Sequence, residues 1–115
     1  MKYTESLNKN YEFRRLYSKG KSAGTRLLVI YTLRNRSGLN RLGLTVGGKV
    51  GGAVVRNRVR RKIREIYRLN ESKLRRSRDI VIVARADSRD ASYQELEKAF
   101  FSACSKAELL LAEEK

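Results

Sequence analysis

The sequence contains no histidine, no proline and no tryptophan, and its only cysteine is Cys104. Without histidine the usual general base near neutral pH is missing, and so is the commonest zinc and iron ligand. Ser–His and Cys–His nucleophile pairs are excluded. A lone cysteine forms neither an intramolecular disulfide nor a metal-binding cluster, and a reducing, cytoplasmic setting fits it. Long apolar runs are also absent. The longest, Leu27–Tyr31 and Ile80–Ala84, are five residues each, so no bilayer span and no membrane partner are expected. The opening Met1-Lys2-Tyr3-Thr4-Glu5 has no apolar core of the kind a secretory signal needs. Acidic residues are scarce as well, 12 against 27 Lys and Arg.

What remains is a small globular domain. The chain of 115 residues is read as one domain, 1–115, with a tail expected to fray from Leu110. Leu, Ile, Val and Phe total 30 residues, enough for a modest core. The net charge of +15 is uneven: residues 1–90 carry +17 and residues 91–115 carry −2. A field concentrated in one part of a domain points to a polyanionic partner, nucleic acid first. The blander reading is a basic surface that only aids solubility.

Apolar periodicity gives the order α, β, β, α, β, α, an α+β domain with helices packed on a small sheet. A first helix spans Asn8 to Tyr17, with Asn8 available as its cap and Gly20 as its stop. Thr25 to Leu33 reads as a strand with Leu27, Val29, Tyr31 and Leu33 on one face and Leu28, Ile30 and Thr32 on the other. Two partly apolar faces imply cover on one side and partial cover on the other. A turn at Arg34–Gly38 leads to a second strand, Arg41–Val46, and the two strands are expected to pair as a hairpin. Gly47-Gly48-Lys49-Val50-Gly51-Gly52 is a glycine-rich loop, followed by a long helix from Ala53 to about Leu69. Val55, Val59, Ile63 and Ile66 form its apolar stripe. Asp79–Ala84 is a buried strand by its β-branched run. Ser92-Tyr93-Gln94-Glu95 is a capping box opening a last helix with Leu96, Phe100, Phe101, Cys104 and Ala107 on its apolar face. A packed, inert Cys104 follows from that position.

Three constellations bear on chemistry. Gly43 to Lys49 matches a nucleotide-binding P-loop until Val50, where a Ser or Thr hydroxyl must hold magnesium. Two further glycines also separate it from the helix, so nucleotide hydrolysis is not expected. The glycines either let backbone amides approach an anion or only supply a tight turn. The long helix is the strongest feature. Arg56, Asn57, Arg60, Arg61, Arg64 and Arg68 cluster opposite the apolar stripe, Arg58 lies at the flank, and Lys62 lies beside the stripe, reaching to its edge. Between Arg56 and Arg68, seven basic residues face only Glu65. Like charges at helical spacing repel, whereas phosphates would complete such a cluster, and Arg outnumbers Lys 17 to 10. Finally, Tyr11, Phe13 and Tyr17 on the first helix and Tyr31 on the first strand are either core or a platform for stacking single-stranded bases.

These residues resemble a known family. The run Lys49-Val50-Gly51-Gly52-Ala53-Val54-Val55-Arg56-Asn57-Arg58-Val59-Arg60-Arg61-Lys62-Ile63-Arg64-Glu65 is similar to the signature of the bacterial ribonuclease P protein subunit. Leu7–Gly20, Arg41–Val46, Asp79–Arg85 and the Tyr93–Leu96 helix fit the same family in order. The resemblance implies an α/β sandwich with a left-handed β-α-β crossover, as in a ribosomal protein domain. It implies a protein that joins a catalytic RNA, ribonuclease P RNA, and binds the 5′ leader of precursor tRNA while RNA and magnesium cut that leader away. By position it assigns Phe13, Tyr17 and Tyr31 to the leader-binding cleft. It assigns Lys49, Arg56, Asn57, Arg58, Arg60, Arg61, Arg64 and Arg68 to contact with the catalytic RNA. Magnesium would be held mainly by the RNA, with no catalytic and no metal-binding protein residue. The loop departs from the pattern: Gly47 and Gly48 stand where Ser-Lys is common, and Gly52 where Asn or Lys is frequent.

Another class also fits the composition, a non-catalytic RNA-binding module such as a ribosomal protein. A helix-turn-helix DNA binder fits less well, because a glycine loop and a strand precede the arginine helix, and DNA is not an expected partner. A self-sufficient nuclease is not expected, since the carboxylates are scattered.

Overall fold

The computed structural model describes residues 1–111. The strands are β1 (Thr4–Ser6), β2 (Lys21–Gly24), β3 (Leu28–Arg34), β4 (Asn40–Val46) and β5 (Arg78–Ala84), and the helices are α1 (Asn10–Lys19), α2 (Ala53–Asn70) and α3 (Tyr93–Lys106). The five strands form one mixed sheet in the order β1-β4-β5-β3-β2. The α+β class and every expected element are present in sequence order, joined by two short edge strands that local pattern does not announce. Thr-Glu-Ser and Lys-Ser-Ala-Gly carry no apolar alternation; they are strands because their backbones pair with β4 and β3.

The expected hairpin is not formed. β5 lies between β3 and β4, antiparallel to the first and parallel to the second. The run Ile80-Val81-Ile82 is wholly buried, and only the centre of the sheet buries both faces of a strand. The true hairpin is β2–β3, with Lys21 opposite Thr32. Its turn is held by Thr25, whose hydroxyl accepts from the amides of Leu27 and Leu28, so β3 starts at Leu28 rather than Thr25. α2 connects the parallel neighbours β4 and β5.

Two cores follow from the two faces of β3. Leu28 and Ile30, with Ile80 and Ile82, face α2 and α3, where Val59, Ile63, Ile66, Tyr67, Leu96 and Phe100 complete the main core. Val29, Tyr31 and Leu33 lie on the opposite face. There α1 covers only part of the sheet through Leu16, with Leu7 and Val81 beneath it. Cys104 is buried in the main core, and burial pushes its thiol up to about 12. The capping box opens α3 as expected: the Glu95 amide donates to Ser92 Oγ, and Glu95 accepts from the Ser92 amide. α1 instead begins after Lys9, with no side-chain cap, so Asn8 does not cap it.

The chain end is tied down as far as it is described. Leu109 is buried, Leu110 bridges to Leu74, and the Leu111 amide donates to the Lys73 carbonyl. The fraying expected from Leu110 is therefore not found at Leu110 and Leu111, which this pairing holds, and the rest of that expectation, residues 112–115, lies outside the described residues. No helix of the described residues is long and apolar enough to cross a membrane.

Candidate nucleic-acid interface

α2 positions its arginines by amphipathic geometry alone. Val59, Ile63 and Ile66 are buried on the sheet side, which turns Asn57, Arg58, Arg61, Arg64 and Arg68 to solvent. Arg56 and Arg60 are half-buried at the margin, so the basic face is narrower than periodicity suggests. The Arg56 Nε is buried without a hydrogen-bond partner, and Arg60 donates to Asn57 Oδ1 at 3.0 Å. Glu65, the one acid on this helix, is paired with Arg68. That hydrogen bond holds Glu65 below the usual carboxylate range and raises Arg68. Arg56, Arg58, Arg60, Arg61 and Arg64 have no carboxylate partner among the described residues. Lys62 lies at the core edge as expected, with Nζ donating to the Ala91 carbonyl at 3.3 Å.

The glycine loop divides into two kinds of position. Gly51 has φ +153°, and a Cβ there would lie 2.9 Å from the Val55 side chain, so the turn into α2 requires glycine. Gly47, Gly48 and Gly52 have open space around them, and packing does not require glycine there. Val50 is buried and pins the loop, leaving Lys49 exposed beside the start of α2.

A groove lies between α1 and the sheet, lined by Phe13, Arg14, Tyr17, Leu44, Thr45 and Arg60. Its aromatics, Phe13 and Tyr17, pack with each other and with Tyr31 of β3, which does not itself line the groove. Tyr17 and Tyr31 meet edge to face with centroids 5.0 Å apart, and Phe13 lies 6.5 Å from Tyr17. The Tyr17 hydroxyl is 2.9 Å from Thr45 Oγ1, which fixes the ring against β4. Tyr17 is 40% exposed, while Phe13 and Tyr31 are half-buried, so the cluster is neither core nor fully open. Tyr11 is 60% exposed outside this groove, with Lys9 over its ring.

Phe13 packs closely over Gly43 of β4, the first glycine of the partial P-loop match, because that residue has no side chain. A Cβ at Gly43 would fall 2.5 Å from Phe13 Cζ and 2.7 Å from Cε1. Arg60 lines this groove, and it also lines a second depression with Phe13, Glu5, Leu42 and Arg64. The aromatic groove and the arginines of α2, assigned by the resemblance to two different RNA contacts, therefore meet at Arg60. Arg68 stands apart, beside Met1, Lys2, Tyr3 and Glu71.

Two polar clusters tie distant segments of the chain together outside the groove. Arg41 on β4 donates Nε and Nη2 to Asp79 at 2.9 and 2.7 Å and also pairs with Glu12 of α1. Asn35 donates to the same Asp79 carboxylate at 2.8 Å. The Asp79 hydrogen bond raises Arg41 above the usual arginine range against the opposing effect of burial. In the second cluster, Glu71 is buried at 6% exposure and accepts from the Lys2 and Tyr3 amides at 2.9 and 3.0 Å and from the Thr4 hydroxyl. Burial alone would raise its pKa, but those hydrogen bonds bring it below the usual carboxylate range. Neither cluster is legible as a site in the sequence, because its members lie far apart along the chain and carry no local signature. Among the described residues no three Cys, Asp or Glu side chains come together as a metal-binding group.

Comparison with known proteins identifies what the chain and its fold resemble. Residues 1–108 match the model of the family described as Ribonuclease P. The chain is 44% identical over 110 residues to the ribonuclease P protein component of Alkaliphilus metalliredigens, covering 96% of this chain and 99% of the relative. It is 46% identical over 110 residues to that of Alkaliphilus oremlandii, covering 96% of each. Among solved structures, the Staphylococcus aureus RNase P protein superposes with a TM-score of 0.82 at 31% identity, over 92% of this chain and 97% of that one.

Proposed function

The chain belongs to the ribonuclease P protein family, and from that premise we propose that it binds the catalytic RNA through α2 and the 5′ leader of precursor tRNA through the aromatic groove. Family membership implies a ribonuclease subunit with a role in tRNA 5′ processing. The finer reading is carried by one observation: Arg60 lines both the groove and the arginine face, joining them into a single strip. Bases stack on Phe13, Tyr17 and Tyr31, while Lys49, Arg56, Asn57, Arg58, Arg60, Arg61, Arg64 and Arg68 meet phosphates of the catalytic RNA. Neutralising phosphates on both sides of the strip lets leader and catalytic RNA lie close together.

Several of the described carboxylates are already engaged within the protein. Glu12, Glu65, Asp79, Asp87 and Glu108 are held by arginines or lysines, and Glu71 by backbone amides. In this proposal the magnesium that cleavage needs is held mainly by the RNA. No protein side chain acts on the scissile bond.

The test is comparative. Phe13→Ala is expected to lower affinity for precursor tRNA bearing a leader, with mature tRNA little affected. Equal losses for both RNAs would remove the groove from leader binding.

A further inference from the structure

The edge of the sheet away from the α2 arginines carries a second basic trough. Arg60 and Arg64 stand beside β4 and β1, whereas β3 and β2 form the opposite edge. There Lys19, Lys21, Thr32, Arg34, Arg75 and Arg78 line a depression closed by Ala107 and Glu108. Its construction is local. A Cβ at Gly20 would lie 2.5 Å from the Leu16 carbonyl oxygen of α1 and 3.2 Å from that of Thr32, so glycine closes the end of α1 tightly where it approaches β3. That approach sets Lys19 and Lys21 on either side of it, and Lys21 is in register with Thr32.

Two features of the trough are unfavourable in the free protein. The first is crowding of like charge. Arg34 lies directly opposite Arg78 in the β3–β5 ladder, a pairing that destabilises a sheet. Burial, with Arg34 and Arg75 nearby, pulls Arg78 below the usual arginine range. The Arg78 guanidinium donates to the Arg76 and Ser77 carbonyls, and Arg75 Nε to the Glu108 carbonyl. Among the described lining residues the only carboxylate is Glu108, and Lys21 engages it. The second feature is Thr32, 6% exposed, whose hydroxyl has no hydrogen-bond partner although it lines the trough. A buried donor left unmatched is costly.

One ligand chemistry relieves both. A phosphate supplies several anionic oxygens, which accept from guanidinium and ammonium groups and from the Thr32 O–H. We propose that Lys19, Lys21, Arg34, Arg75, Arg78 and the Thr32 hydroxyl form a second phosphate site that takes a phosphodiester of RNA. The cations are spread along an open trough, from the end of α1 across β3 to residues 75–78, which suits consecutive phosphates better than one small anion. The site rests on the reading of this chain as an RNA-binding subunit and extends it: two RNA segments are held on opposite edges of one sheet.

The test uses the full chain. In the isotope-enriched protein titrated with inorganic phosphate, the Lys21, Thr32 and Leu33 amides should shift saturably by NMR. Thr32→Val should weaken that response about tenfold or more, while Thr32→Ser preserves it. The Lys19→Gln/Arg34→Gln double variant should lower the salt slope of binding to ribonuclease P RNA by about 0.7–0.9 for each phosphate no longer neutralised. It also keeps the proposal testable if Thr32→Val does not fold. Unmoved amides overturn the site. Phosphate binding with an unchanged RNA slope overturns the RNA assignment, leaving a small-anion site. Cleavage of precursor tRNA by the wild-type protein with the RNA is scored separately. Its failure alongside a reduced slope would remove the subunit reading and leave the second site standing.

Discussion

Replacing Gly43 by alanine puts a methyl group where the Phe13 ring now lies. The added carbon would sit 2.5 Å from Phe13 Cζ and 2.7 Å from Cε1, with Leu7 Cδ2 at 3.4 Å. Ordinary carbon contacts are about 3.5–4.0 Å, so the ring must retreat by roughly 1 Å. Glycine to alanine in a compatible strand gains about 0.4–1 kcal/mol through the unfolded chain, and overpacking costs about 1–3 kcal/mol. The net effect on stability is a loss of about 0–2.5 kcal/mol, small enough for the fold to survive. Leader binding should suffer more specifically. One base stacked on an aromatic contributes about 1–3 kcal/mol, so losing that platform weakens leader-bearing RNA by roughly 5- to 150-fold. Fluorescence anisotropy with precursor and mature tRNA measures the difference, and urea denaturation measures stability. In a Phe13→Ala background the second substitution should cost nothing further. If Gly43→Ala reduced affinity equally in both backgrounds, or equally for both RNAs, the clash with the ring would not be the cause.

Other consequences follow from the polar clusters and the core. Asp79→Asn removes one of the two carboxylates paired with Arg41 and leaves Glu12 as its partner; the expected loss is about 1.5–3 kcal/mol, read as a fall in the urea midpoint. Glu71 has its pKa below the ordinary value of about 4.5 in the folded protein, so its contribution is present above that value. The contribution is lost as pH falls through the lower folded value, and Glu71→Gln should flatten the stability–pH curve in that acid range. Cys104, buried with its thiol near 12, should react with a disulfide reagent only as fast as the protein opens. Modification of Cys104 at the free-thiol rate in the absence of denaturant would contradict its packed, inert character.

Which parts of this fold are legible in the sequence depends on the range of the interaction that makes them. The α2 stripe of Val59, Ile63 and Ile66, the β5 run and the Ser92–Glu95 box are set by neighbours within a few residues, and each appears where local pattern puts it. The place of β5 between β3 and β4 is set by burial of Val81 on one face and Ile80 and Ile82 on the other. Adjacent strands in sequence suggest a hairpin, and nothing local says that a strand from beyond α2 will separate them. β1 exists because its backbone pairs with β4, far on in the chain, and Glu71 anchors its start through Thr4, which no spacing rule anticipates. The same division holds for the site. The arginine face is visible as a helical pattern, and the aromatics are visible as an excess on α1. That Arg60 joins the two, and that Gly43 makes room for Phe13, depends on side chains of α1 and α2 converging at β4 from different parts of the chain.

The joined strip is proposed to bring catalytic RNA and leader together. The most direct measurement of that is cleavage of precursor tRNA by a bacterial ribonuclease P RNA at low magnesium, with and without this protein. The wild-type chain should restore formation of the mature 5′ end, and Arg60→Ala should weaken that rescue more for a precursor with a long leader than for one with a short leader. Failure of the wild-type protein to stimulate cleavage, or a loss with Arg60→Ala that ignores leader length, would contradict the account.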